Sequence, residues 1–257
     1  MFKVFSDAGS IPAVSTKSRI CGIFWCHNEF VGILDLVFPK TCLGCGKEGR
    51  YLCAACLAKS KPAKPICPYC EKASIDGLTH SKCTKKFGLD GLAAVWEYEG
   101  IIRTAILALK YKYATLIGQE LSEHFIVALK SPHSKLLIPD SAALVPIPLY
   151  WHRENVRGFN QSAEVGKCVA EAMSWNFIPE LLVKKRQTVP QAELKGDERR
   201  SNLRDVFTFN PNYTLASKRY TLVLFDDVFT TGSTLMETAK VLKHAGAEKV
   251  WGLTIAR

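Results

Sequence analysis

Residues 221–235, TLVLFDDVFTTGSTL, constrain this chain more than any other stretch. An apolar run, Leu222 to Phe225, stops at two adjacent carboxylates, Asp226 and Asp227. A loop of small polar residues follows, Thr230, Thr231, Gly232, Ser233 and Thr234. Then Leu235, Met236, Ala239, Val241 and Leu242 recur at helical spacing. The order is strand, acidic pair, loop, helix. A helix N-terminus carries unpaired backbone N–H groups and the positive end of the helix dipole, so such a loop suits a phosphate. Small residues let the backbone approach the anion, and the hydroxyls add donors. The two carboxylates would repel that phosphate, so they fit neutral hydroxyls, or a metal, on the same ligand. A sugar phosphate has this layout, with an anion at one end and a diol at the other. A plain capped helix after a buried strand has no use for so many polar and small residues at one turn. No G-x-x-x-x-G-K-[ST] string occurs, which excludes a Walker A loop. An acidic pair near the C-terminus is misplaced for a response-regulator receiver.

Cysteine spacing supplies the second constraint. Cys42 and Cys45, Cys53 and Cys56, and Cys67 and Cys70 are three C-x2-C knuckles, and His80-x2-Cys83 makes a fourth pair. Paired knuckles of this kind read as zinc ligands and not as a disulfide framework, above all beside a nucleotide-type site. Sequential pairing places Cys42, Cys45, Cys53 and Cys56 on one zinc and Cys67, Cys70, His80 and Cys83 on a second. Cross-braced pairing alternates the knuckles. Spacing alone allows both, and sequential pairing has the shorter loops. Cys21, Cys26 and Cys168 stand outside the pattern. The formal charge of +10 favours an anionic partner, and bound zinc with seven thiolates leaves the chain basic.

The 257 residues hold one or two domains, and a 47% hydrophobic content excludes wholesale disorder. No apolar run reaches the roughly 18 residues of a transmembrane helix. Residues 1–33 show no sustained period and are a poor secretory signal; they read as a disordered leader or as sequence upstream of the true start. Residues 34–86 form the zinc module, too thin in apolar residues to fold without metal. Within it, residues 59–65, KSKPAKP, read as a stiff charged spacer. Residues 87–257 form the larger domain. Strands are expected near 92–98, 142–147, 181–184, 206–209, 220–225 and 250–255, with helices over 101–113, 116–129 and 162–174. This alternation implies an α/β fold with a mainly parallel sheet and a ligand at the carboxyl ends of the strands. Residues 185–203 are polar, contain Pro190 and Gly196, and read as a long lid-like loop. Arg153 and Arg157 follow a strand, where their forked donors suit a pyrophosphate. Gln161 and, in the long loop, Gln191 are further candidate ligand contacts.

DDVFTTGST resembles the phosphoribosyl pyrophosphate (PRPP) motif of type I phosphoribosyltransferases. The chain from Leu34 onward is similar to the ComF family. FPKTC and the knuckles after it carry that likeness, with YEG at 98–100, KYK at 110–112, VPIP at 145–148, RGFNQ at 157–161, Thr188, Gln191, Arg199, Asn202 and Phe207. The resemblance implies a sheet of the type I phosphoribosyltransferase kind behind a small zinc ribbon. It implies ribose hydroxyls at Asp226 and Asp227 and the 5′-phosphate on residues 230–234. Mg²⁺ would accompany PRPP, and the reaction would transfer the phosphoribosyl group to an unidentified acceptor and release pyrophosphate. It also implies a role in competence and DNA uptake, in the cytoplasm at the inner face of the membrane, with single-stranded DNA and a DNA-translocating helicase as partners. A non-catalytic protein that handles single-stranded DNA stands as the alternative to an enzyme. Tyr111, Lys112 and Tyr113 interleave aromatic and basic residues, which suits base stacking.

Overall fold

The computed structural model describes residues 39–109, 114–131, 138–139, 141–150, 159–186, 206–215 and 221–257. Five strands form one sheet: β1 (Gly91–Trp96), β2 (Ala142–Pro146), β3 (Asn176–Phe177), β6 (Thr221–Val228) and β7 (Lys249–Ala256). Their order is β1-β7-β6-β2-β3, and every pairing is parallel. The expected parallel α/β fold is therefore present. β6 is flanked on both sides, pairing Leu224 with Val145 of β2 and with Gly252 of β7. A strand covered on both faces must be apolar throughout, and residues 221–225 are buried without interruption.

Five α-helices lie among the described residues: α1 (Ala54–Leu57), α2 (Gly100–Ala108), α3 (Ala114–Leu129), α4 (Gln161–Met173) and α5 (Ser233–His244). Alternation along β6 feeds two cores. Val223 and Phe225 join Ile102 and Ile106 of α2, Leu121 and Phe125 of α3, and Val165 and Val169 of α4. Leu222 and Leu224 join Leu235, Ala239 and Leu242 of α5. Each large apolar side chain buried this way contributes about 1.5–3 kcal/mol. α4 can approach β2 because residue 166 is glycine; a Cβ there would lie 2.9 Å from the Leu144 side chain.

Several expectations are corrected. β6 runs to Val228, three residues beyond the expected end, so Asp226 and Asp227 belong to the strand itself. β3, two residues long, is too short to leave a periodic signal. Residues 61–63 are no free spacer. Ala63 N–H donates to Val95 O at 2.9 Å and Glu97 N–H to Lys61 O at 2.9 Å, so this segment pairs antiparallel with the outer edge of β1. The zinc module is likewise joined to the larger domain. Cys42 and Leu52 are buried in the core that holds Ile101 and Ile102, and Ile66 is buried in the other. The expected long loop is entered and left through two short strands, β4 (Leu182–Lys184) and β5 (Phe207–Phe209), paired antiparallel. Residues 187–205 and the leader lie outside the described residues. No helix among the described residues is long and apolar enough to cross a membrane.

Candidate functional site

The zinc ligands group sequentially. Sγ atoms of Cys42, Cys45, Cys53 and Cys56 form one cluster, and donors of Cys67, Cys70, His80 and Cys83 form another, each within 4.8 Å. The two begin alike. Gly46 N–H donates to Cys42 O and Glu71 N–H to Cys67 O, with Gly46 at φ +72° and Glu71 at φ +56°. The donor sets fit zinc. His80 Nδ1 lies 3.3 Å from Cys70 Sγ, while Nε2 lies 3.1 Å from Ala73 O. A carbonyl only accepts, so Nε2 carries the proton and the Nδ1 lone pair faces the sulfurs, as a metal-bound histidine requires. In the first cluster, burial opposes ionisation of Cys42, but backbone hydrogen bonds from Cys53, Gly44 and Cys45 bring it down to about 6. Cys56 is pushed up to about 12, first by the Cys53 side chain and then by Cys45. Crowded sulfurs cannot all ionise alone, and a dication removes that conflict.

At the carboxyl end of β6 the acidic pair is asymmetric. Asp226 Oδ1 accepts from Ser162 Oγ at 3.3 Å and from the Asp227 N–H at 2.9 Å. Burial, and then the charge of Asp227, push the Asp226 carboxyl up to about 8, against the pull of the Asp227 N–H, Ser162 and Lys184. Tyr98, just past β1, is raised by burial, lowered by Arg103 and raised by Asp227. The Arg103 guanidinium sits 5.9 Å from the Tyr98 ring centroid. Sequence reasoning gave no role to Ser162, Tyr98, Arg103 or Lys184, since no local pattern links α4, β1, α2 and β4 to the end of β6.

The loop is anchored where β6 ends, with Phe229 N–H donating to Ala256 O at 2.9 Å. Gly232 turns the chain at φ +67°, and a Cβ there would lie 2.4 Å from the Phe229 ring. Thr231 and Ser233 hydroxyls lie 2.8 Å apart, Thr230 is exposed, and Thr234 is half-buried in the first turn of α5. Its N-cap, Gly232, has no side chain to cap the helix start, and no acidic residue occupies the first turn. The start of α5 thus carries no N-cap side chain and no first-turn carboxylate to oppose an anion.

The RGFNQ segment is described from Phe159 onward. Asn160 caps α4, accepting from Ser162 N–H at 3.1 Å and donating to Ile147 O at 3.1 Å. Gln161 is only 6% exposed, and its amide donates to Leu109 O at 3.2 Å, a contact with the fold itself. Arg153, Arg157 and Gln191 lie outside the described residues. A cavity of about 330 Å³, lined by Pro62, Ile66, Leu92, Trp96 and Arg257 among others, lies along the outer edge of β1 and includes neither carboxylate. The chemistry of the donors, rather than the size of that hollow, identifies the candidate site.

Residues 33–84 match the double zinc ribbon domain family. Over 212 residues the chain is 29% identical to Competence protein F of Haemophilus influenzae, covering 80% of this chain and 90% of that protein. It is 28% identical over 228 residues to Competence protein ComFC of Bacillus subtilis, covering 82% of this chain and 86% of the relative. Among solved structures, an adenine phosphoribosyl transferase from Trypanosoma brucei overlaps at a TM-score of 0.29 and 15% identity, over 53% of this chain and 51% of that one; an overlap this loose carries no argument. With two sequential zinc-type clusters and an N-terminal ribbon match, the chain is similar along most of its length to proteins named Competence protein F and Competence protein ComFC.

Proposed function

We propose that the carboxyl end of β6 binds PRPP or a nucleoside 5′-phosphate, and that the protein transfers the phosphoribosyl group to an acceptor. The observation that carries this reading is the start of α5 behind Gly232, without an N-cap side chain or a first-turn carboxylate, directly after the acidic pair. Residues 230–234 hold the 5′-phosphate through backbone N–H groups and hydroxyls. Asp226 and Asp227 face the ribose hydroxyls. Arg153 and Arg157, by their chemistry in the sequence, are assigned to the pyrophosphate. Mg²⁺ bound with PRPP would add positive charge to that leaving group. The acceptor nitrogen bonds to the anomeric carbon as the carbon–oxygen bond to pyrophosphate breaks, and the acceptor gives up a proton. Calorimetry with Mg-PRPP and with ribose 5-phosphate tests the binding. Pyrophosphate release across a panel of bases and amines tests the transfer. Asp227→Asn should weaken binding without unfolding the protein, and unchanged affinity would remove Asp227 from the site.

A second reading, a non-catalytic handler of single-stranded nucleic acid, is favoured by a surface beside the second ribbon. Phe87 stacks on His244 with ring centroids 3.8 Å apart and planes at 18°. Lys86 lies 5.3 Å over Phe87, and Lys85 lies 4.8 Å over Tyr69. Lys82 and Lys240 are exposed in the same two segments. Aromatic faces among lysines suit unpaired bases and their phosphates. Binding of an oligonucleotide that weakens with salt, with no pyrophosphate released from Mg-PRPP by any acceptor, would select this reading.

A further inference from the structure

The cavity at the outer edge of β1 contains none of the residues assigned to the ribose-phosphate site. One wall is the span between the two ribbons, with Pro62, Pro65 and the buried Ile66. A second is Leu92 and Trp96 of β1, and the end of α3 makes a third. These walls are held. Ala63 N–H donates to Val95 O and Glu97 N–H to Lys61 O, both at 2.9 Å, and Lys61 pairs with Glu99 at 2.9 Å. The Trp96 ring leans on Phe125, with centroids 6.0 Å apart. Asp76 also lines the cavity and stands at φ +48°, a backbone region aspartate enters more readily than most residues. Gly77 follows at φ +80°, and any side chain there would run into the Leu92 carbonyl, so the turn fits β1 only as glycine. Three charged side chains line the cavity: Lys64, Asp76 and Arg257. Arg257 is already answered, since Nη2 donates to Glu97 Oε1 at 2.9 Å and Nε to Lys64 O at 3.2 Å. Among the described residues, the side chains of Lys64 and Asp76 make no hydrogen bond or ion pair.

We propose that this cavity binds a small zwitterion with an apolar body, an aliphatic or aromatic α-amino acid. Its ammonium meets Asp76, its carboxylate meets Lys64, and its side chain lies against Pro62, Ile66 and Trp96. Size sets the first limit. A cavity of about 330 Å³ holds roughly eleven heavy atoms at about 30 Å³ each, enough for leucine or phenylalanine and too little for a nucleotide. Apolar walls favour a hydrocarbon body. Charge sets the second limit. Asp76 repels a bare anion and Lys64 repels a bare cation, whereas a zwitterion satisfies both. Walls already fixed by hydrogen bonds cost the ligand little to organise. Occupancy would tie the span between the ribbons to β1 and to α3. The proposal stands apart from the ribose-phosphate reading and does not depend on it.

The test is titration calorimetry on the zinc-loaded full chain with L-phenylalanine and L-leucine. Binding that saturates below about 10 mM is expected. Two half-ligands separate the charges. Asp76→Asn should weaken phenethylamine, which has the ammonium alone, about tenfold, and should not weaken 3-phenylpropionate, which has the carboxylate alone. Lys64→Gln should do the reverse, and each variant should weaken L-phenylalanine about tenfold. Asparagine tolerates the left-handed backbone at position 76, and neither change touches a zinc ligand, so both variants should fold. Saturating ribose 5-phosphate should leave L-phenylalanine binding unchanged. Lack of saturable binding by both amino acids would overturn the proposal, as would displacement by ribose 5-phosphate. An L-phenylalanine affinity unmoved by both substitutions would do the same. Equal losses of the two half-ligands in each variant would also overturn it, because they would report damaged walls and not paired charges. Failure of ribose 5-phosphate to bind at all would count against the ribose-phosphate reading alone.

Discussion

The backbone N–H of Leu52 donates to Glu120 Oε2 at 2.8 Å, fastening the first zinc ribbon to α3. Leu52 is fully buried, so its N–H has no water to turn to if the carboxylate is removed. Glu120→Ala should cost about 1–3 kcal/mol of stability, and Glu120→Gln less, because the amide oxygen still accepts. Urea denaturation measures both, and a loss under about 0.5 kcal/mol for the alanine variant would show that the bond is dispensable.

Zinc removal should destabilise the whole fold and not the ribbons alone. Cys42 and Leu52 share a core with Ile101, Ile102 and Leu121, and residues 61–63 pair with β1. Metal analysis should find about two zinc ions per chain, falling to about one in His80→Ala. Chelation should lower one cooperative melting transition, followed by the near-ultraviolet signal of Trp251 in β7. Two separate transitions would show that the ribbons unfold on their own.

Gly232→Ala should damage the loop by two routes. The backbone stands at φ +67°, and the new Cβ would meet the Phe229 ring at 2.4 Å. The expected cost is about 1–3 kcal/mol, with ribose 5-phosphate affinity reduced more than about tenfold. Gly246, at φ +99° with nothing within 4 Å of its Cβ position, is the control. Gly246→Ala carries the backbone cost alone and should leave affinity intact.

Stability should decline with alkalinity through Asp226. Its carboxyl is raised from 3.8 to about 8 by burial and by Asp227. The folded state thus holds a proton that the unfolded chain has released. The stability this contributes is complete below about pH 4 and is lost as pH rises to about 8. Asp226→Asn removes the titration, so the variant should be flatter over this window and more stable than the parent at pH 9, by about 1–3 kcal/mol. Thermal melts across the range would show parallel curves if Asp226 were ionised throughout.

Should the lysines beside Phe87 bind a single strand, the Lys85→Ala, Lys86→Ala double variant would lower the slope of log affinity against log salt by roughly one to two. Phe87→Ala should weaken binding about tenfold through lost stacking. Fluorescence anisotropy with a labelled oligothymidine at several salt concentrations reads both. Slopes identical to the parent's would remove this surface from consideration.

Local patterns announced much of this molecule. The apolar run of β6 and the helical spacing of α5 were legible because each answers to a period within its own segment. The zinc ligands were legible because a C-x2-C turn brings its sulfurs together locally. The end of β6 was not, since a strand that enters a polar site loses the apolar residues that mark it, and the expected boundary fell at Phe225 instead of Val228. KSKPAKP read as a spacer because lysine and proline are poor strand formers. At the edge of β1 that composition is tolerable, since prolines there need not donate and the lysines face water.

The sequence by itself determined the chemistry: which residues could bind zinc, which loop could accept a phosphate, and that an acidic pair precedes it. Each follows from residue type and short spacing. Tertiary structure alone decided the pairing of the knuckles, the docking of the ribbon through Leu52 and Glu120, and the unequal standing of Asp226 and Asp227. Ser162 lies 64 positions from Asp226 in the chain, and Tyr98 approaches Asp227 from two strands away. Proton affinity depends on burial and on neighbours in space, and neighbours that far apart in sequence meet only when the sheet closes.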